Sequence, residues 1–121
     1  MSDFIISKGN NTPAVKFTAN SYTLSIEGNS YPEDARSFYD NLFNKIEPFA
    51  NVKSFTFELN FEYLSSSSIA CILDRLKHFK ADSPSTNFII RFFYETGDED
   101  MMSIGENYAD LSGMKVEFIL K

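Results

Sequence analysis

The stretch Ser54-Phe55-Thr56-Phe57-Glu58-Leu59-Asn60-Phe61-Glu62-Tyr63-Leu64-Ser65-Ser66-Ser67-Ser68-Ile69-Ala70-Cys71-Ile72-Leu73 decides the fold. Its first half alternates: Phe55, Phe57, Leu59 and Phe61 interleave with Ser54, Thr56, Glu58 and Asn60. That period of two marks a strand with one buried face. Its second half changes period. Ile69, Ile72, Leu73, Leu76 and Phe79 recur at helical spacing, which predicts a helix over roughly Ile69 to Lys80. Four serines stand where one period gives way to the other. Hydroxyls at a helix start meet unpaired backbone N–H groups and the positive end of the helix dipole. Such a position caps the helix, binds an anion or carries a covalent phosphate.

The same reading extends outward from this strand–helix unit. Pro13 to Thr18 and Tyr22 to Glu27 are two short strands joined by the hairpin-length Ala19-Asn20-Ser21. Lys8-Gly9-Asn10-Asn11 before them reads as loop, and Gly28-Asn29-Ser30 ends the second strand. Tyr31-Pro32-Glu33-Asp34 opens a helix, with Pro32 in the first turn and acids favoured by the dipole. Its stripe is Ala35, Phe38, Tyr39, Leu42, Ile46 and Phe49, and Pro48 helps to end it. Thr86 to Tyr94 is nearly continuous in apolar residues, which predicts a strand covered on both faces. A third helix spans Glu99 to Leu111, and Met114 to Leu120 is the last strand. The expected order is β-β-α-β-α-β-α-β in one domain over residues 1–121, an α/β fold with a mixed, mostly parallel sheet and three helices. Only the first strand pair should be antiparallel, with right-handed crossovers elsewhere.

Composition narrows the partners. The chain has 121 residues, 43% of them hydrophobic, and its 13 Phe and 6 Tyr fall mostly on apolar faces, as a Phe-rich core requires. A net charge of -6 argues against nucleic acid and against an anionic membrane surface, both of which need clustered Lys and Arg. No apolar run has the length of a membrane span, and Met1-Ser2-Asp3-Phe4 lacks the basic start of a secretory leader. A cytoplasmic location is the expectation. The lone Cys71 lies inside the second helix and reads as a small packing residue.

Catalysis finds little support. A serine nucleophile needs a base within hydrogen-bond reach. The single histidine, His78, is about three turns along the helix from Ser66, and no Gly-x-Ser-x-Gly elbow occurs. Asp98-Glu99-Asp100 departs from the alternating calcium-loop pattern and reads as a helix start capped by Asp98. No cofactor or metal site is indicated. A wheel with Ile69, Ile72, Leu73 and Leu76 facing the sheet turns Ser65 inward and Ser67 outward, with Ser66 and Ser68 on the flanks. Capping by Ser65 leaves Ser66 at the first helical position. A phosphate there has no local clamp, since Arg75 and Lys77 lie more than two turns on. It suits the control of partner docking better than the remodelling of its own domain.

Several segments together resemble a known family. They are Thr12-Pro13, Gly28-Asn29-Ser30-Tyr31-Pro32-Glu33, Tyr63-Leu64-Ser65-Ser66-Ser67-Ser68-Ile69, Tyr94-Glu95, Asp98-Glu99-Asp100-Met101 and Gly105-Glu106. The element order resembles a STAS-type domain, the fold of anti-sigma factor antagonists. The closer resemblance is to the SiaC family of bacterial regulatory phosphoproteins. That resemblance implies a non-enzymatic protein phosphorylated on one hydroxyl at the helix start by a dedicated Ser/Thr kinase and dephosphorylated by a PP2C-type phosphatase. It also implies that the unphosphorylated form engages a diguanylate cyclase, and so acts on cyclic di-GMP and biofilm behaviour. The family pattern Tyr-Leu-Asn-Thr-Ser-Ser-Ile places its modified Thr on Ser66 and its Asn on Ser65; both residues depart from the pattern. Ser66 is therefore the expected phosphoacceptor, with Ser67 the alternative from the wheel. Ser65, Ser67 and Ser68 are the cap and site neighbours, and Tyr63 and Leu64 the candidate partner surface. Two rivals stand beside this reading: an unphosphorylated STAS-like binding or scaffolding module, and an enzyme using Ser66 or Ser67 as nucleophile.

Overall fold

A computed structural model describes residues 3–121; the Met1-Ser2 of the leader argument lies outside the described residues. Six strands form one sheet in sequential order: β1 (Phe4–Ile6), β2 (Ala14–Thr18), β3 (Thr23–Ser30), β4 (Ser54–Leu64), β5 (Asn87–Tyr94) and β6 (Lys115–Leu120). Helices α1 (Ala35–Ile46), α2 (Ser66–Asp82) and α3 (Glu99–Leu111) connect β3 through to β6. The strands joined through helices are parallel, and β1–β2–β3 are antiparallel. The expected α/β order therefore holds, with one strand added at its start. Phe4-Ile5-Ile6 is too short to show a period, but it pairs with Phe17, Lys16 and Val15 and packs the Phe4 ring, tilted, against Phe17.

Sequential parallel strands with right-handed crossovers place all three helices on one face of the sheet. The inward row of β4, Phe55, Phe57, Leu59 and Phe61, is buried there, and the Phe43 and Phe79 rings of α1 and α2 pack on Phe57 at 5.8 and 5.9 Å. The opposite face carries no helix. This corrects the expectation for β5. Phe88, Ile90 and Phe92 are buried, whereas Ile89, Arg91 and Phe93 are half-buried. The apolar run survives there because neighbouring strands and long side chains shield it; Arg91 lies over the Phe93 ring and pairs with Glu58.

Two boundaries move, and both shape one end of the sheet. β3 does not stop at Gly28. A register shift between Gly28 and Asn29, with Gly28 at φ 108°, carries the strand on to Ser30. Helix α1 then begins at Ala35, not within Tyr31 to Asp34, because Asp34 is the cap and accepts the Ser37 N–H at 3.0 Å. Pro48 sits in a short 3-10 turn, Glu47–Phe49, that closes α1. The carboxyl ends of β3 and β4 and the amino ends of all three helices consequently share one edge, the usual position of a binding site in an open α/β sheet.

Candidate functional site

The strand–helix junction is built by β4 running to Leu64 and α2 beginning at Ser66. Ser65 is the N-cap. Its backbone is extended (φ -68°, ψ 157°), its Oγ accepts the Ser68 N–H at 3.1 Å, and its carbonyl accepts the Ile69 N–H at 2.9 Å. The Ser65 N–H donates to the Ser30 carbonyl at 2.9 Å, tying the turn to the end of β3. Ser66 and Ser67 are the first two helical residues, and both are exposed. Their N–H groups belong to the unpaired set at the open end of the helix.

Ser68 is the correction to the wheel. It is fully buried, and Ser65 is only half-buried. The inner face of α2 is centred on Ser68, Cys71, Ile72, Leu76 and Phe79, while Ile69 and Leu73 are its half-buried flank. Counting back from Ile72 and Leu76 by fours lands on Ser68. The wheel gave Ile69 and Leu73 equal weight and was turned accordingly. Cys71 lies within α2, as expected, and is buried on its inner face.

Ser68 does not sit in the core unsatisfied. Its Oγ meets Ser65 Oγ at 3.0 Å and Ser30 Oγ at 2.8 Å, and Ser30 Oγ meets Tyr39 Oη at 2.5 Å. Ser30, Ser68 and Tyr39 are all inaccessible to solvent. Burial pushes the Tyr39 phenol up to about 12, with the Ser30 and Ser68 hydroxyls acting in the opposite direction. Tyr39 is therefore a neutral hydroxyl at physiological pH. Neither Ser30 nor Tyr39 was singled out as a site residue. The signal for Ser30 was present, since the alternation of Leu24 and Ile26 continued by twos points it inward.

The candidate partner surface divides. Tyr63 is 55% exposed, whereas Leu64 is turned into the core at 7%, because the register shift that pairs Gly28 with Phe61 and Asn29 with Tyr63 leaves Glu62 over on β4 and reverses the alternation set by Phe61. Both residues nevertheless line one groove of about 300 Å³, together with Ile69, Met101 and Ile104 and the acidic Glu62, Asp98 and Asp100. The exposed companion of Tyr63 is Tyr31, 47% exposed, whose ring meets it edge-on at 5.8 Å. Tyr31 is held by its N–H to the Asn11 carbonyl and its hydroxyl to the Asn10 carbonyl. It was missed because the sequence assigns it to a helix start.

The other expectations fall into place around this junction. Asp98 caps α3 through the Met101 N–H at 3.0 Å, with Glu99 and Asp100 in the first turn. The His78 ring faces solvent and meets the Asp74 carbonyl at 2.8 Å, so its nearest bond lies in its own helix. It lies twelve residues along the helix from Ser66, roughly 18 Å of axial rise. Arg75 lies 3.9 Å from Asp40, and Arg36 pairs with Asp74 at 2.7 Å, a contact that holds the Asp74 carboxyl below its usual range. Among the described residues, no helix is long and apolar enough to cross a membrane.

Comparison with known proteins agrees with this architecture. SiaC of Pseudomonas aeruginosa superposes over 100% of both chains, with a TM-score of 0.85 at 22% identity. A crystal structure of the diguanylate cyclase SiaD in complex with its activator SiaC, from the same organism, matches 98% of this chain and 99% of that chain, with a TM-score of 0.85 at 21% identity. At these identities the likeness establishes the shared fold. An uncharacterized protein of P. aeruginosa strain UCBPP-PA14 is 26% identical over 113 residues, covering 91% of this chain and 90% of its own. The model of the SiaC family regulatory phosphoproteins matches residues 6–121, and the chain belongs to that family.

Proposed function

We propose that this chain is a non-enzymatic signalling regulator switched by phosphorylation of Ser66, and that its unphosphorylated form docks on a diguanylate cyclase. The observation that carries the reading is the sorting of the four serines. Ser65 is committed to the cap, Ser68 is buried, and Ser66 stands exposed at the first helical position. Ser67 is exposed as well and is the alternative acceptor; the family pattern favours Ser66. Support for the partner class comes from the fold shared with SiaC, which is the activator of SiaD in the complex above.

In the modification, the Ser66 Oγ bonds to the γ-phosphorus of a nucleoside triphosphate held by a Ser/Thr kinase. The bond from that phosphorus to the bridging oxygen breaks, the diphosphate leaves, and the hydroxyl proton passes to a base or to water. A PP2C-type phosphatase reverses the switch by hydrolysis of the Oγ–phosphorus bond. The helix start accommodates the added charge of roughly -1.5 to -2 through the dipole and the unpaired N–H groups. The fold is retained, and the effect falls on the surface shared by Ser66, Tyr63 and Tyr31. A partner must strip water from that surface to bind, and a phosphate dianion there raises the cost.

Intact mass and phosphosite mapping after co-expression with a candidate Ser/Thr kinase test the reading. One phosphate on Ser66, with weakened binding of the phosphorylated chain to a diguanylate cyclase, is the expected result. An unshifted mass in the presence of a demonstrably active kinase would sink it. A phosphate confined to Ser67 would move the switch by one residue.

A further inference from the structure

We infer that Ser68, Ser30 and Tyr39 are positioning residues for the modification of Ser66: their buried hydroxyls hold Ser65 in its capping role and so set which serine of the run accepts phosphate. The inference rests on the Ser66 reading above and adds three residues that never touch the phosphate.

The hydroxyl chain joins three elements. Tyr39 lies in α1, Ser30 is the last residue of β3, and Ser65 with Ser68 forms the first turn of α2. Successive oxygens stand 2.5, 2.8 and 3.0 Å apart from Tyr39 through Ser30 and Ser68 to Ser65. Three of the four residues are inaccessible to solvent, so no water replaces a missing partner. Removing one hydroxyl strands its neighbours, and the chain acts as a unit.

The consequence for Ser65 is specific. Its hydroxyl hydrogen is donated to Ser68 Oγ, and its oxygen accepts the Ser68 N–H. A Ser65 hydroxyl used as a nucleophile would have to give up both bonds and uncap α2. Ser68 is sealed by burial. The chain therefore leaves only Ser66 and Ser67 as acceptors and fixes the backbone from which they project. Phosphoryl transfer needs the attacking oxygen in line with the leaving group, so a loosened turn lowers the rate at the intended oxygen and admits its neighbours.

The test measures phosphorylation by the kinase that labels the wild-type chain, with magnesium and a nucleoside triphosphate, on Ser68→Ala, Tyr39→Phe and a core control, Ile90→Val. All are assayed well below their melting temperatures. In Ser68→Ala the share of phosphate on Ser66, relative to Ser65 plus Ser67, is expected to fall on the order of five- to tenfold, the scale of one or two lost hydrogen bonds. Tyr39→Phe, which keeps the ring packing, shifts the distribution the same way by a smaller factor and decides the matter if Ser68→Ala fails to fold. Ile90→Val lowers stability and leaves the distribution unmoved. Wild-type distribution and rate in the serine and tyrosine variants overturn the positioning role alone. A wild-type chain that takes no phosphate on Ser66 overturns the underlying reading, and the positioning role with it.

Discussion

Ser66 and Ser68 stand two residues apart on the same helical turn and face opposite ways, one exposed and one fully buried. Chemically identical side chains thus have opposite tolerance for charge. At Ser66 a negative group lies in water beside the positive end of the α2 dipole. At Ser68 it would replace a hydroxyl packed among Ser30, Ser65 and Tyr39.

An acidic substitution should expose the difference. Ser66→Asp is expected to change stability by no more than about 0.5 kcal/mol, in the stabilising direction if at all. Ser68→Asp places an uncompensated carboxylate in the core and is expected to cost about 4 kcal/mol or more. Urea denaturation followed by circular dichroism of the two variants separates them. Equal stability would mean that Ser68 is reachable by solvent.

The cap can be tested by exchanging its side chain. Ser65→Ala removes the acceptor of the Ser68 N–H and one partner of the Ser68 hydroxyl, and is expected to destabilise the chain by about 1–2 kcal/mol. Ser65→Asn restores a side-chain oxygen of comparable capping strength and is expected to return all but a few tenths of a kcal/mol. Thermal melts of the two variants beside the wild type provide the measurement. A loss as large for Asn as for Ala would place the contribution of Ser65 elsewhere than in the cap.

The frame of this site was legible in the sequence because each part of it has a local signal. Alternation from Phe55 to Phe61 marked β4, the change of period located the helix start, and the serines at that boundary gave the cap. What was not legible depends on contacts distant in sequence. Ser30 and Ser68 are 38 residues apart, and no spacing rule joins them. Tyr31 meets Tyr63 beside a register shift in which Gly28 pairs with Phe61 and Asn29 with Tyr63, leaving Glu62 over on β4, and no local signal marks that shift. The turning of Ser68 is a matter of weighting: Ile69 and Leu73 are apolar, but they pack against the core only as its half-buried flank.

Gly105 has no local turn or cap signal in the sequence and is constrained in the fold. It lies on the inner face of α3, where an added Cβ would come within 2.8 Å of Phe92 Cδ1 and 2.6 Å of Phe118 Cε1. Phe118 is an exposed side chain on the edge strand and can yield, but Phe92 is fully buried. Gly105→Ala gains about 0.5–1 kcal/mol in helix propensity. Against that stands overpacking of typically about 1–3 kcal/mol. A net loss of about 1–2 kcal/mol in urea denaturation is the expected outcome. The exposed Ser103→Ala in the same helix gains a few tenths of a kcal/mol and serves as the control. A stabilised Gly105→Ala would show that α3 can lift from β5 and β6 at little cost.

The raised pKa of Tyr39 makes a prediction at high pH. The folded chain holds the phenol proton up to about 12, whereas the unfolded chain releases it near the ordinary value of 10.0. The native state therefore binds more protons than the unfolded state between those values, and stability falls as pH rises through the interval. Below the unfolded value the contribution is fully present. Tyr108, buried with its hydroxyl donating to the Ile69 carbonyl at 2.8 Å, is shifted in the same direction by burial and steepens the same decline. Tyr39→Phe removes one of the two linkages. At neutral pH it is expected to cost about 1 kcal/mol, because Ser30 loses a partner. Towards about pH 11 the gap to the wild type should narrow, since the variant has no Tyr39 proton to release. Urea midpoints of both proteins from neutral to alkaline pH measure this, and two parallel curves would show that the Tyr39 hydroxyl titrates alike in the folded and unfolded chains.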